Sequence, residues 1–151
     1  MEKVLIAIDY NPVSEKVAEE GHKLAKKLGA EICLLHVVTD LGYYTTQYPT
    51  FMGYDGYAVT ADLAVASEMR KYTEDFLQSA AKHLNDPSVI THLANGDTPN
   101  AILRYAKEWG ADLIVMGTHS HSTLEKLFLG TVASKVLEKT HVPVHLIPVS
   151  K

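Results

Sequence analysis

Five stretches of the chain are apolar almost without interruption. They run from Lys3 to Ile8, Glu31 to Val38, Val89 to Leu93, Asp112 to Met116, and Val144 to Val149. Runs of four to eight aliphatic residues without polar alternation predict strands buried on both faces. Between them the apolar positions change to helical spacing. Val17, Gly21, Leu24 and Leu28 form a stripe that Asn11 can cap, with Pro12 in the first turn and Gly29 as the stop. Between Ala61 and Leu84 a second stripe carries Val65, Met69, Tyr72, Phe76 and Ala80. A third helix starts at Thr98-Pro99, with Ile102, Ala106 and Trp109 on one face and Gly110 at its end. A fourth starts near Gly130-Thr131, carries Val132, Val136 and Leu137, and ends before Pro143.

Strand and helix alternate throughout, which predicts repeated crossovers and a parallel sheet. Five strands and four helices predict an α/β fold, an open doubly wound sheet with helices on both faces. A closed eight-stranded barrel needs about 250 residues. The 151 residues form one expected domain, 1–151, with no repeat or linker. Asp40 to Tyr57 breaks the alternation. It holds Tyr43, Tyr44, Tyr48, Phe51, Tyr54 and Tyr57 among three glycines and a proline. Such a long connection reads as a cover for the sheet edge, a lid or a protein-contact surface.

Composition narrows the function classes. Hydrophobic residues make up 46% and charged residues 21%, the balance of a globular chain. No apolar run is long enough to cross a bilayer, and no signal segment precedes the first strand, so the expected location is cytoplasmic. The net charge is −4, and residues 28–69 contain no Lys or Arg. Without a basic cluster, no nucleic-acid partner is expected. The lone Cys33 lies in an apolar run and reads as a small buried hydrophobe.

Ligands of open parallel sheets bind beyond the carboxyl ends of the strands. The first strand ends in Asp9, and the fourth leads into Gly117-Thr118-His119-Ser120, with Gly130-Thr131 opening the next helix. A helix N-terminus suits phosphate, and a carboxylate accepts hydrogen bonds from ribose hydroxyls or an amine. The chain has neither Gly-x-Gly-x-x-Gly nor a Gly-Lys-Ser/Thr loop, which argues against ordinary dinucleotide dehydrogenases and P-loop ATPases. His119 and His121 do not make a metal site by themselves. Ser122 to Glu125 has capping-box spacing and predicts a short helix from Thr123 to Phe128. Ser120, His119 and Asp9 do not sit in a nucleophile elbow, so no catalytic residues are assigned. His36 reads as a packed or ligand-edge residue, and His141 and His145 as structural.

Four stretches carry a family resemblance. They are Val4-Leu5-Ile6-Ala7-Ile8-Asp9 with Ser14 after it, and Leu34-Leu35-His36-Val37-Val38. The third is Gly96-Asp97-Thr98-Pro99 leading to Ala111-Asp112-Leu113-Ile114-Val115-Met116-Gly117. The last is Leu129-Gly130-Thr131-Val132-Ala133 with His141-Val142-Pro143-Val144. Along essentially its full length the chain resembles single-domain universal stress proteins. The resemblance implies a Rossmann-like sheet of order 3-2-1-4-5 and an ATP site, with Mg²⁺ accompanying the nucleotide. Asp9 would meet ribose or adenine, and the Val37 backbone would meet adenine. Met116, Gly117, His119, Ser120, Gly130, Thr131 and Val132 would wrap ribose and phosphates, with Ala7 and Ile8 beside them. The family pattern of Gly, two residues, Gly, nine residues, Gly and Ser or Thr is kept in spacing, but Ser120 replaces the second glycine. The loop also lacks the usual cation beside His119 and His121, leaving Lys126.

The implied function is an ATP-binding regulator in stress response, with slow hydrolysis at most. The alternative is a dimeric interaction module without nucleotide, working through the aromatic segment and an unidentified protein partner. The resemblance also implies a homodimer through the edge strand Pro143 to Val149, where the prolines are tolerated.

Overall fold

The computed structural model describes residues 1–10, 12–39, 55–118 and 129–149, with the backbone alone for 55–67 and 69. Strands β1 (Lys3–Ala7), β2 (Glu31–Val38), β3 (Ile90–Asn95), β4 (Leu113–Gly117) and β5 (Val144–Ile147) form one parallel sheet of order β3-β2-β1-β4-β5. Val4 lies beside Ile32 on one side and Leu113 on the other. The helices are α1 (Ser14–Leu28), α2 (Asp55–His83), α3 (Thr98–Trp109) and α4 (Thr131–Lys139).

Side chains alternate across the sheet, so the apolar runs feed two cores. Val4, Ile6, Ile32, Leu34 and Val115 pack under Val17, Ala18 and Ala25 of α1 and Leu77 of α2. Leu5, Cys33, Leu35, Ile114 and Met116 pack under Ala101, Ile102 and Ala106 of α3 and Ala133 and Val136 of α4. The predicted α/β architecture, strand order and two-sided helix layers are all present.

Local boundaries differ in instructive ways. Gly29 and Gly110 end their helices in left-handed conformations, φ 66° and 76°, as the sequence predicts. Helix α1 starts at Ser14 rather than Pro12, with Val13 at its N-cap and no side-chain cap. Pro12 instead makes the turn before it, its carbonyl accepting from Glu15 N at 3.2 Å. The expected cap, Asn11, lies outside the described residues. Helix α2 starts at Asp55, so Tyr57 belongs to the helix and not to the connection expected to run through it. The remainder of that connection, 40–54, lies outside the described residues, as does the helix expected over 123–128. Strand β3 begins at Ile90 rather than Val89 and continues to Asn95, and β5 stops at Ile147 rather than Val149.

The helix stripes also need correction. Leu28, Tyr72 and Leu137 stand exposed, while Ala25, Thr73, Leu77 and Ala133 take the inward positions. Leu28 is the last residue of α1, and Tyr72 and Leu137 each lie one residue, about 100° around the helix, from the buried Thr73 and Val136. Gly21 keeps α1 close: a Cβ there would lie 2.9 Å from Ile6 Cδ1 and 3.1 Å from Val115 Cγ1. His141 and His145, expected to be structural, are both exposed.

Candidate functional site

Strand order reverses at β1, whose neighbours β2 and β4 leave in opposite directions. A cleft of about 500 Å³ opens there, beyond the strands' carboxyl ends. Ala7, Ile8, Asp9, Val37, Met116, Gly117, Gly130, Thr131 and Val132 all line it. The structure therefore brings together residues spread from 7 to 132 in the chain. His119 and Ser120 lie outside the described residues.

Asp9 follows β1 and is held by Ser14, the first residue of α1. The Ser14 hydroxyl donates to Asp9 Oδ1 at 2.7 Å and accepts from the Asp9 backbone N–H at 3.0 Å. Ser14 is buried, so the pair orients the carboxylate from beneath the cleft floor. The sequence marked Ser14 as a companion of Asp9 in the family pattern, without its role. The N-cap residue of α1 is Val13, and Asp9 meets the helix through the Ser14 hydroxyl.

His36 forms the adjoining wall. Its Nδ1 lies 2.8 Å from the Ile8 carbonyl, which accepts, so the ring proton sits on Nδ1. Burial pushes the imidazole below its ordinary range, opposed by the bond to Ile8 and the charge of Asp9. The Tyr10 ring meets His36 edge-on at 4.8 Å, and Phe76 of α2 meets it at 5.5 Å. The Tyr10 hydroxyl donates to Thr73 Oγ1 at 2.7 Å, tying the end of β1 to α2. Tyr10 and Thr73 both line the cleft, and neither carried a sequence signal for it.

The opposite side is the start of α4. Gly130 is its N-cap, with φ −59° and ψ 156° and no side-chain cap. Its N–H donates to Thr118 O at 2.7 Å and closes the neck of the connection from β4. Thr131, Val132 and Ala133, in the first turn, face the cleft, where helix N–H groups lack carbonyl partners within the helix. Gly117 turns out to be a packing requirement: a Cβ there would meet Val17 Cγ2 at 3.1 Å and Val149 Cγ2 at 3.4 Å. Thr98, at the start of α3, adds a hydroxyl to the lining. No Lys or Arg is among the described lining residues.

An oriented carboxylate, main-chain edges of β1, β2 and β4, and an open helix N-terminus suit a ligand with hydroxyls at one end and an anion at the other. Cys33, within β2 beside Tyr105 of α3, is fully buried, and burial pushes its thiol up to about 11, as expected of an inert core residue.

A model of the universal stress protein family matches residues 1–148. The chain is 30% identical over 147 residues to universal stress protein YxiE of Bacillus subtilis, covering 96% of this chain and 97% of that one. Among solved structures, MJ0577 of Methanocaldococcus jannaschii superposes with a TM-score of 0.76 at 21% identity, covering 99% and 97% of the two chains. A universal stress protein in complex with cAMP gives a TM-score of 0.61 at 18% identity, covering 97% and 96%.

Proposed function

The chain belongs to the universal stress protein family, and on that premise we propose that it is a regulatory protein that binds an adenine nucleotide in this cleft. The observation that carries the reading is the Asp9 carboxylate, oriented by Ser14, facing the same cleft as the uncapped N-terminus of α4. The carboxylate accepts from ribose hydroxyls, and the α4 N–H groups receive phosphate. The Val37 main chain, at the end of β2, meets the base. A relative solved with cAMP supports the ligand class. With ATP, Mg²⁺ is held mainly by the phosphates.

The bound nucleotide alters partner contacts, with slow hydrolysis at most. The whole chain, 1–151, acts as one cytoplasmic domain and pairs as a homodimer along the β5 edge. Among the described residues no helix is long and apolar enough to cross a membrane. One observation favours a second reading, an interaction module without nucleotide. The described cleft has no Lys or Arg to offset phosphate charge.

Calorimetric titration of Mg-ATP, cAMP and AMP into the protein decides between them. Micromolar binding of at least one supports the nucleotide reading. No heat at millimolar nucleotide overturns it and leaves the interaction module.

A further inference from the structure

We propose that Glu15, Glu19 and His83 form a second binding site, for a divalent metal ion of the zinc class, across the seam between α1 and α2. Glu15 and Glu19 are four residues apart on α1, so their carboxylates share one helix face. His83 is the last residue of α2 and brings its Nε2 to 2.8 Å from Glu19 Oε1 and 3.3 Å from Glu15 Oε1. All three donor atoms lie within 4.8 Å of one another.

Tetrahedral zinc with ligands at about 2.0–2.2 Å sets those ligands about 3.3–3.6 Å apart. The donors lie close to that spacing, His83 Nε2 being 2.8 and 3.3 Å from the two carboxylates and all three atoms within 4.8 Å. Three protein donors leave the fourth position to water. The side chains of Glu15, Glu19 and His83 are 65%, 41% and 50% exposed, so an ion enters directly from solvent. Two carboxylates also balance the charge of a divalent ion beside a neutral imidazole. The nitrogen donor selects zinc-class ions over Mg²⁺ and Ca²⁺, which take oxygen ligands. The site is separate from the cleft, and its test does not depend on nucleotide binding. Its consequence is mechanical. An ion here clamps α1, which supplies Ser14 to the cleft, to α2, which supplies Thr73.

The test is calorimetric titration of zinc chloride into the whole protein, with magnesium chloride as control, repeated on His83→Ala and on the double variant Glu15→Gln, Glu19→Gln. Loss of an outer-shell partner costs a metal site about 10–100-fold in affinity, and loss of a ligand costs no less. The expected result is one zinc per chain, a loss of at least about tenfold in each variant, and a zinc-induced rise in Tm that both variants lack. Cobalt(II) should give the visible absorption of a tetrahedral site, absent in His83→Ala. The exposed positions leave the fold intact, which circular dichroism verifies. Absence of zinc binding reduces the trio to a histidine ion-paired with two carboxylates. Zinc binding that both variants retain places the ion elsewhere. Either result overturns the proposal.

Discussion

Ser14 and Asp9 are joined twice, the serine hydroxyl donating to the carboxylate at 2.7 Å and accepting the aspartate N–H at 3.0 Å. The pair fuses the end of β1 to the start of α1 and fixes the direction of the carboxylate. Ser14→Ala removes both bonds. With the carboxylate no longer fixed in direction, nucleotide affinity should fall about tenfold, about 1.4 kcal/mol. Stability by urea denaturation should fall by about 1–2 kcal/mol. Ser14→Thr should restore most of the affinity. Full affinity in Ser14→Ala would show that the carboxylate needs no such support.

Gly130→Val separates ligand space from backbone conformation. Gly130 has φ −59° and ψ 156°, which any residue adopts. The variant should therefore fold, at a cost of about 1 kcal/mol because valine is a poorer N-cap than glycine. A branched side chain at the mouth of the cleft should still weaken nucleotide binding by about tenfold, about 1.4 kcal/mol. Equal affinity would move the phosphate site away from α4.

Gly21 behaves oppositely. Its missing Cβ would sit within 2.9–3.1 Å of Ile6 and Val115, both fully buried. Gly21→Val should destabilise the protein by about 1–3 kcal/mol through overpacking, despite removing a helix-interior glycine. Chemical denaturation measures it, and an unchanged midpoint would mean α1 can lift off the sheet at no cost.

His36 predicts a pH effect with a definite sign. Burial holds its folded pKa below the ordinary 6.5. As pH falls below 6.5 the unfolded chain takes up the proton first, so stability drops, and the drop ends once the folded imidazole is also protonated. His36→Asn keeps a donor for the Ile8 carbonyl and cannot titrate. The Tm difference between wild type and His36→Asn should shrink as pH is lowered from 7 through 6. A constant difference would show that the buried ring is not the titrating group.

Asp86 shows the same linkage at lower pH. Bonds from Ser88, then His22, hold its carboxyl well below the usual range, with Lys26 adding a contact at 3.3 Å. The stabilisation it contributes is present above the ordinary carboxylate range and is lost as pH falls below it. Asp86→Ala should therefore lower Tm at pH 7 and do so less at pH 3. An equal loss at both would assign its role to something other than charge.

Much of this architecture was legible because the strands are buried on both faces. Runs such as Ile32 to Val38 announce themselves without any period, and Gly29 and Gly110 mark helix ends by their left-handed backbone. The family pattern located Asp9 and the Gly130 turn. What escaped was set by tertiary packing. Tyr72 fits a helical stripe as well as Thr73 does, yet Thr73 is the buried one, because it sits under Tyr10. Nothing local in the sequence joins residues 10 and 73. Gly117 lines the cleft as the family pattern implied, but its glycine is also needed for packing, because Val17 and Val149 occupy the space a side chain would need. The trio at the helix seam was invisible for the same reason: Glu19 and His83 are 64 residues apart.

The central claim is that one cleft, lined by Asp9, Val37 and the first turn of α4, receives an adenine nucleotide. Backbone amide chemical shifts of the labelled protein, followed while ATP is added, test it most directly. The account predicts the largest saturable changes at Asp9, Val37, Thr131 and Val132, abolished in Asp9→Ala. Saturable changes elsewhere with those four amides unmoved, or no changes at millimolar ATP, would contradict it.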